Sequence, residues 1–370
     1  MSSPRRRGPS EIYIGLMSGT SLDGVDAALV NLRGRPLLLG AVFVRYPRRL
    51  KSSLLALNEP AGDELHRASL AGVQLSELYA AAVMRVLRRS GLEAQSVRAI
   101  GCHGQTVRHV PASGYTVQLG NPARLAERTG IPVVADFRSG DIAAGGQGAP
   151  LVPAFHAAVF RSPRVHRVVV NLGGIANLTD LPSRGPVTGF DTGPGNILLD
   201  AWAGEKFGMD LDRDGALASQ GRPLEPMLRD LLADSYFRRS PPKSTGRDHF
   251  NLGWLRGFGV ARRRAEDVQA TLAELTARSI SRAVTRFCPG AREVYLCGGG
   301  AHNSDLVMRI ARTLAHVAVE STLLLGIHPD WVEAMAFAWL AQRRLRHQTG
   351  SLPGVTGARN PQVLGATYWA

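Results

Sequence analysis

Residues 11–32, EIYIGLMSGTSLDGVDAALVNL, read as strand, tight turn, strand. The apolar YIGLM runs into a Ser/Gly/Thr turn, Asp23-Gly24 supplies a hairpin signal, and the apolar DAALVNL leaves it. Residues 165–181, VHRVVVNLGGIANLTDL, repeat that design with an apolar strand at 165–172, a Gly173-Gly174 turn and a second strand at 175–181. No extended sequence repeat accompanies the two hairpins. One hairpin with glycines therefore opens each half of the chain.

Working outward from them, strands are expected at 36–46, 99–103, 115–119 and 131–136. Helical apolar spacing covers 68–89 and stops at Gly91, a C-terminal cap. A Gly/Ala-rich stretch fills 137–153, and long helices are expected at 265–287 and 331–347, separated by the strand VYLCGGG. The pattern is α/β with two lobes and a boundary near 140–165. Residues 11–150 form the first lobe, joined by the helix 331–347; residues 151–370 form the second; residues 1–10, MSSPRRRGPS, are a disordered basic tail.

Composition narrows the function classes. A chain of 370 residues with 44% hydrophobic content suits a globular two-domain protein. No run of about 18 uninterrupted apolar residues is present, and the apolar stretch after the basic N-terminus is too short for a secretory signal. Neither membrane insertion nor secretion is expected. Three cysteines, Cys102, Cys288 and Cys297, have neither metal-ligand spacing nor the number for a disulfide framework, which points to the cytoplasm. The net charge of +14 raises nucleic-acid binding, but the basic residues are scattered and aromatic content is only 6%, so no stacking platform is offered. The same charge suits an anionic nucleotide.

Three glycine-rich turns follow expected strands: SGTSLDG (18–24), NLGGIANLT (171–179) and CGGGAHN (297–303). Glycine lets backbone N–H groups approach phosphate oxygens, and Ser/Thr hydroxyls add donors. None of the three matches the P-loop or the G-x-G-x-x-G pattern before a helix. Spread over two lobes, they describe a nucleotide clamped in a cleft.

Nine collinear segments make the resemblance specific: GLMSGTSLDGVDAALV, GCHGQTVRHVP, TGIPVVADFRSGDIAAGGQGAPLVPAFH, VVNLGGIANLT, GFDTGPGN, DRDGALASQG, KSTGRDHFN, CGGGAHNSDL and GIHPDWVEAMAFAWLA. Through them the chain resembles the anhydro-N-acetylmuramic acid kinases over almost its whole length, the N-terminal tail excepted. Asp248 stands in KSTGRDHFN where the family pattern suggests Glu. The resemblance implies the two-lobed actin-like ATPase fold of sugar kinases, Hsp70 and actin, with the nucleotide in the interdomain cleft. It implies ATP at Gly19, Thr20, Ser21, Leu22, Asp23, Gly24, Val25 and Asp26, with Mg2+ carried by ATP near Asp23 or Asp26. Gly173, Gly174 and Asn177 look like a second phosphate turn, joined by Gly193, Gly195 and Asn196, while Gly298, Gly299, Gly300 and Asn303 look like the adenosine side.

Phosphoryl transfer also needs a carboxylate that takes a proton or aims the nucleophile. Asp191 in GFDTGPGN is the candidate base; taken bare, it supports a turn or caps a helix beginning near Asn196. The family opens the 1,6-anhydro ring of its sugar with water while phosphorylating O6, giving N-acetylmuramic acid 6-phosphate and ADP. His103, Gln105, Thr106, Arg138, Asp141 and Glu333 are the substrate candidates. Arg138 suits the lactyl carboxylate through its guanidinium fork, against a structural ion pair with a nearby Asp. Glu333 sits three residues after Asp330, which also reads as a helix-capping pattern. The resemblance further implies a homodimer working in cell-wall recycling. A kinase for a different sugar on the same fold and an actin-like ATPase switch stay open beside it.

Overall fold

The computed structural model describes residues 11–19 and 21–370. The N-terminal tail and Thr20, both named above, lie outside the described residues. The chain divides into two compact units, unit 1 running to Phe155 and resuming over Glu333–Ala370, and unit 2 spanning His156–Val332.

In unit 1, β1 (Ile12–Met17), β2 (Gly24–Asn31) and β3 (Leu37–Arg45) form an antiparallel meander. Strand β4 (Val97–Cys102) then pairs parallel to β1, and β7 (Val133–Ala135) parallel to β4. The hairpin of β5 (Gln105–Val110) and β6 (Tyr115–Leu119) stands apart as its own two-stranded sheet. Unit 2 repeats the plan. Strands β8 (Arg167–Leu172), β9 (Ile175–Leu181) and β10 (Thr188–Pro194) make the meander, β11 (Glu293–Cys297) lies parallel to β8, and β12 (Ala318–Ser321) parallel to β11. Two sheets of one topology in one chain are the architecture of the actin-like ATPases, as the paired hairpins suggested.

Each sheet is strongly apolar because helices cover it. Helix Glu64–Ser90 buries Leu75, Tyr79, Val83 and Val86 in the unit 1 core. It ends on Gly91, whose positive φ of 63° lets its N–H reach the last carbonyls, and Arg88 and Arg89 complement the helix dipole there. Among the described residues it is the one helix long and apolar enough, by length and composition, to cross a bilayer, although polar residues interrupt its apolar run. Its apolar side is spent on the core. In unit 2 the helix Ala265–Phe287 does the same work, with Leu272, Leu275 and Ile280 fully buried.

The last part of the chain, which the sequence reading assigns beyond residue 347 to the second lobe, belongs to unit 1. There β13 (Ala366–Tyr368) pairs antiparallel with β7, extending the first sheet to six strands. Helix Val332–Leu345 rests its backbone on β1 and β4 at Gly15 and Gly101, which are register partners. A Cβ at Gly15 would collide with the carbonyl of Ala334, and one at Gly101 with the carbonyl of Phe337. Only glycine permits that approach.

Gly101→Ala therefore forces the helix off the sheet. We expect the urea unfolding midpoint of unit 1 to fall by the equivalent of about 3 kcal/mol. An unchanged midpoint would mean that the helix does not depend on this contact.

Candidate active site

In unit 2 the glycine segments 173–174, 193–195 and 298–300 come together. The Gly173-Gly174 turn joins β8 to β9, and its two carbonyls accept hydrogen bonds from Gly195 N–H at 2.9 Å, Asn196 N–H at 2.9 Å and Ile197 N–H at 3.0 Å. A Cβ on Gly195 would strike the carbonyl of Gly173. Gly298, with φ +79°, closes on Asn171 and Leu172, and a Cβ on Gly300 would lie 2.7 Å from that of Leu172 and 3.0 Å from the Asn196 amide. Backbone amides from β8, β10 and β11 ends thus crowd into one place, with Asn177, half-buried on β9, directly opposite Asp191. Asn303 has a different use: its Oδ1 accepts the Leu306 N–H at 2.9 Å and caps helix Ser304–Thr313.

Asp191 sits in a strand, not in a turn or at a helix cap. The register of β10 against β9 shifts between Asp191 and Gly193, a bulge that re-aims the side chain. The segment after β10 then grips the residue from three sides. Thr245 N–H donates to Asp191 Oδ2 at 3.0 Å, Asp191 N–H donates to the Lys243 carbonyl at 3.2 Å, and the Tyr236 hydroxyl donates to the Asp191 carbonyl at 2.7 Å. Burial, then the charge of Asp191, raises the Tyr236 hydroxyl well above its ordinary range, so it stays a donor. Asp234 anchors the segment by accepting from Trp254 Nε1 at 3.0 Å and pairing with His249 at 3.1 Å. Burial opposes the ionisation of Asp234, but hydrogen bonds from Tyr236 N–H, His249 and Trp254 hold it below the usual carboxylate range. His249 stacks on Phe250 with ring centroids 4.3 Å apart, and Phe250 meets Trp254 edge-on. Sequence reasoning singled out KSTGRDHFN without assigning a role to any residue in it. The aromatic spacing of SYF, DHF and W at 235–254 was the available signal.

Unit 1 holds the remaining candidates. Ser18 Oγ donates to the Gly104 carbonyl at 3.0 Å and meets Tyr79 OH at 2.9 Å, and Gln105 Nε2 donates to the Gly19 carbonyl at 3.2 Å. Tyr46 OH donates to Gln105 Oε1 at 3.2 Å. These contacts tie the first glycine turn to HGQT. Within the turn, Leu22 is buried with a positive φ of 57°, a conformation costing a leucine about 1–3 kcal/mol that its core contacts must hold. Val25 is core, and Gly24 packs against the carbonyl of Val44. Ser21 and Asp26 are half-buried. Asp23 is exposed and pairs with Lys51 at 3.0 Å.

The substrate candidates separate into two kinds. His103 is buried against Phe337, with ring centroids 4.8 Å apart, and Arg138 reaches its Nε2 at 2.7 Å and the Gly148 carbonyl at 2.6 Å. Burial, then the Arg138 charge, holds His103 well below the ordinary histidine range. The ring is therefore neutral with its proton on Nδ1, and that atom is buried without a hydrogen-bond partner. His103 lines a cavity of about 310 Å3 in this unit with Gln118, Asp136 and Ser139. Thr106 accepts from Gln118 at 3.1 Å. Asp141, by contrast, is fully buried, taking the Gly148 N–H and the Thr356 hydroxyl, both at 2.8 Å, and fixes a loop. Glu333 is half-buried in the first turn of its helix, while Asp330 spends its carboxylate on His302 at 2.6 Å instead of on a cap.

Paired sheets of one topology, with glycine turns at equivalent hairpins, are the actin-like ATPase fold, and the family match makes the chain an ATP-dependent sugar kinase of that fold. Within that class the chain belongs to the anhydro-N-acetylmuramic acid kinase family, whose model matches residues 11–370. A relative of that name from Thiobacillus denitrificans is 53% identical over 97% of this chain and 97% of its own length. Another from Nitrosospira multiformis is 52% identical, covering 96% and 98%. Among solved structures, the chain is similar to a ROK family glucokinase from Streptomyces griseus in complex with glucose and AMPPNP, at 15% identity, 90% and 99% coverage and a TM-score of 0.42. It is likewise similar to an activator of 2-hydroxyisocaproyl-CoA dehydratase from Clostridium difficile with bound ADPNP, at 14% identity, 91% and 96% coverage and a TM-score of 0.48.

Lys243 gives this site a pH signature. Burial first, then Arg286 and Arg239, lowers its ammonium from an ordinary 10.5 to about 8. The folded chain thus binds fewer protons here than the unfolded chain between those values, and stability from this group rises as pH climbs from 8 towards 10.5. We expect Lys243→Met to gain thermal stability relative to the native chain at pH 7 and to lose that gain by pH 10. A difference in Tm that does not change with pH would place the lysine in solvent.

Proposed function

We propose that this chain transfers the γ-phosphoryl group of ATP to O6 of 1,6-anhydro-N-acetylmuramic acid while water opens the anhydro ring. Asp191 takes a proton from that water, whose oxygen bonds to C1. The C1–O6 bond breaks, O6 bonds to the γ-phosphorus, and ADP leaves. One molecule each of sugar, ATP and water gives N-acetylmuramic acid 6-phosphate and ADP. Ordinary glycoside cleavage needs a second carboxyl group to protonate the leaving oxygen. Here phosphoryl capture of O6 replaces that acid, so one carboxylate suffices. The observation that carries the reading is the clamp on Asp191, whose carboxylate and backbone are both fixed beside the converging glycine turns.

Those turns suit the phosphates of ATP, because glycine backbone amides can approach where a Cβ would intrude. Among the described residues no group of three His, Cys, Asp or Glu could hold a metal on its own. Such a donor set fits an ion that arrives with the nucleotide, keeping waters and phosphate oxygens and taking one or two carboxylates. Mg2+ bound in that way supplies charge neutralisation at the phosphates. Asp23 or Asp26, at the first glycine turn, is its protein contact. On the sugar side, Arg138 takes the lactyl carboxylate, and the unsatisfied Nδ1–H of His103 takes a sugar oxygen. Gln105 and Asp141 then position the loops and do not touch the substrate. The same reading carries with it a cytoplasmic homodimer serving cell-wall recycling, without a nucleic-acid partner.

Asp191→Asn should retain ATP binding and lose turnover by about 10^2–10^4-fold. Measuring ADP release with and without the anhydro sugar tests this, and near-native turnover would remove Asp191 as the base. Product mass is the companion test: phosphate plus water is expected, and phosphate alone would mean an ordinary sugar kinase. Arg138→Ala should raise KM for the sugar by at least about tenfold, in keeping with loss of a charge-assisted bidentate pair. An unchanged KM would reduce Arg138 to a structural partner of Gly148.

A further inference from the structure

Behind the strand that carries Asp191, unit 2 contains a cavity of about 420 Å3 between the segment 237–243 and the helix Ala265–Phe287. Four cations line it: Arg238, Lys243, Arg282 and Arg286. No carboxylate is among its lining residues, and none of the four cations makes an ion pair among the described residues. Arg278, on the same helix, by contrast pairs with Glu225 and Glu274. The Lys243 ammonium is instead held against aromatic faces, 4.7 Å from the Tyr236 ring centroid and 5.9 Å from that of Phe287. Arg286 lies over Phe287 at 4.8 Å. Rings of this kind stabilise a cation without neutralising it.

We propose that this cavity binds a small organic phosphate, a phosphomonoester on a sugar-sized body. Four like charges converging without counter-ions repel one another, and a dianion removes that repulsion. The partly buried Lys243, already held low by burial and by its cationic neighbours, gains most from such a ligand. Arginine forks suit phosphate oxygens, and the apolar floor of Leu232, Phe237 and Phe287 offers contact to the remainder of the molecule. A volume near 420 Å3 lies in the range of small-molecule sites. Because the Lys243 carbonyl accepts the Asp191 N–H, a bound anion bears on the segment that positions Asp191. That consequence rests on the function proposed above, whereas the binding itself does not.

Isothermal titration of the full chain with glucose 6-phosphate, inorganic phosphate and glucose tests the site. Glucose 6-phosphate should bind, inorganic phosphate should bind more weakly, and neutral glucose should bind at least tenfold more weakly than its phosphate. Arg282 and Arg286 are exposed on their helix, so Arg282→Ala combined with Arg286→Ala should fold normally and lose at least tenfold in affinity. Asp191→Asn should bind glucose 6-phosphate as the native chain does, even where its turnover is lost, which separates failure of this proposal from failure of the catalytic one. Equal affinity in the double variant would overturn the site. So would displacement of the sugar phosphate by AMPPNP in direct competition, or absence of binding by either phosphate.

Discussion

The closest packing constraint in unit 1 is the seat of helix Val332–Leu345 on Gly15 and Gly101. These two glycines face each other across the parallel pair β1 and β4, and the helix backbone occupies the space their side chains would take. β1 runs only two residues further before the loop at Ser18-Gly19, and β4 only one before the loop at His103-Gly104. The same helix places Phe337 against both His103 and Phe137. The depth to which the helix sinks therefore sets the height of both loops, and the Ser18 to Gly104 hydrogen bond locks them together. The His103 ring thus inherits its position from a contact made entirely by backbone.

Unit 2 solves the equivalent problem without such a helix seat. Strand β11 stands to β8 as β4 stands to β1, and a glycine of positive φ follows each, Gly298 at 79° one residue beyond β11 and Gly104 at 74° two residues beyond β4. In unit 1 that glycine packs against Gln118 and the Leu119 carbonyl, next to the His103 that Arg138 contacts. In unit 2 it closes on Asn171 and Leu172 of the hairpin's first strand, and its N–H donates to the Pro329 carbonyl at 3.0 Å. Asp191 is a product of the second sheet, displaced from regular pairing by its bulge and held by a loop more than fifty residues later in sequence.

The parts of this architecture that depend on local sequence were legible in it. The strand of NLGGIANLT at 175–181 and the helix at 265–287 lie where apolar periodicity and the flanking glycines put them, because both are set by burial on a single face. Parts that depend on distant partners were not. Asp191 resembles a turn residue because T-G-P-G-N follows it, and only the pairing with β9 makes it a strand residue. Asp141 looks like a substrate contact from its polar neighbours, yet its second partner is Thr356, 215 residues away. Nothing near Asp23 in sequence announces its pairing with Lys51, and Tyr236 and His249 become relevant only once the loop folds back on β10. No periodicity announces that the final residues return to β7.

That return has a consequence for how the chain is made. Unit 2 is continuous in sequence, whereas unit 1 needs both its first half and residues 333–370. At about 5–20 residues per second, synthesis of the intervening stretch leaves the early strands without their covering helix for roughly ten to thirty seconds. During that interval Gly15 and Gly101 present a bare groove on β1 and β4, and the outer edge of β7 has no partner strand. Nascent unit 1 is thus a client for whatever shields apolar strands at the ribosome, and the order of completion runs from the inserted unit to the one that encloses it in sequence.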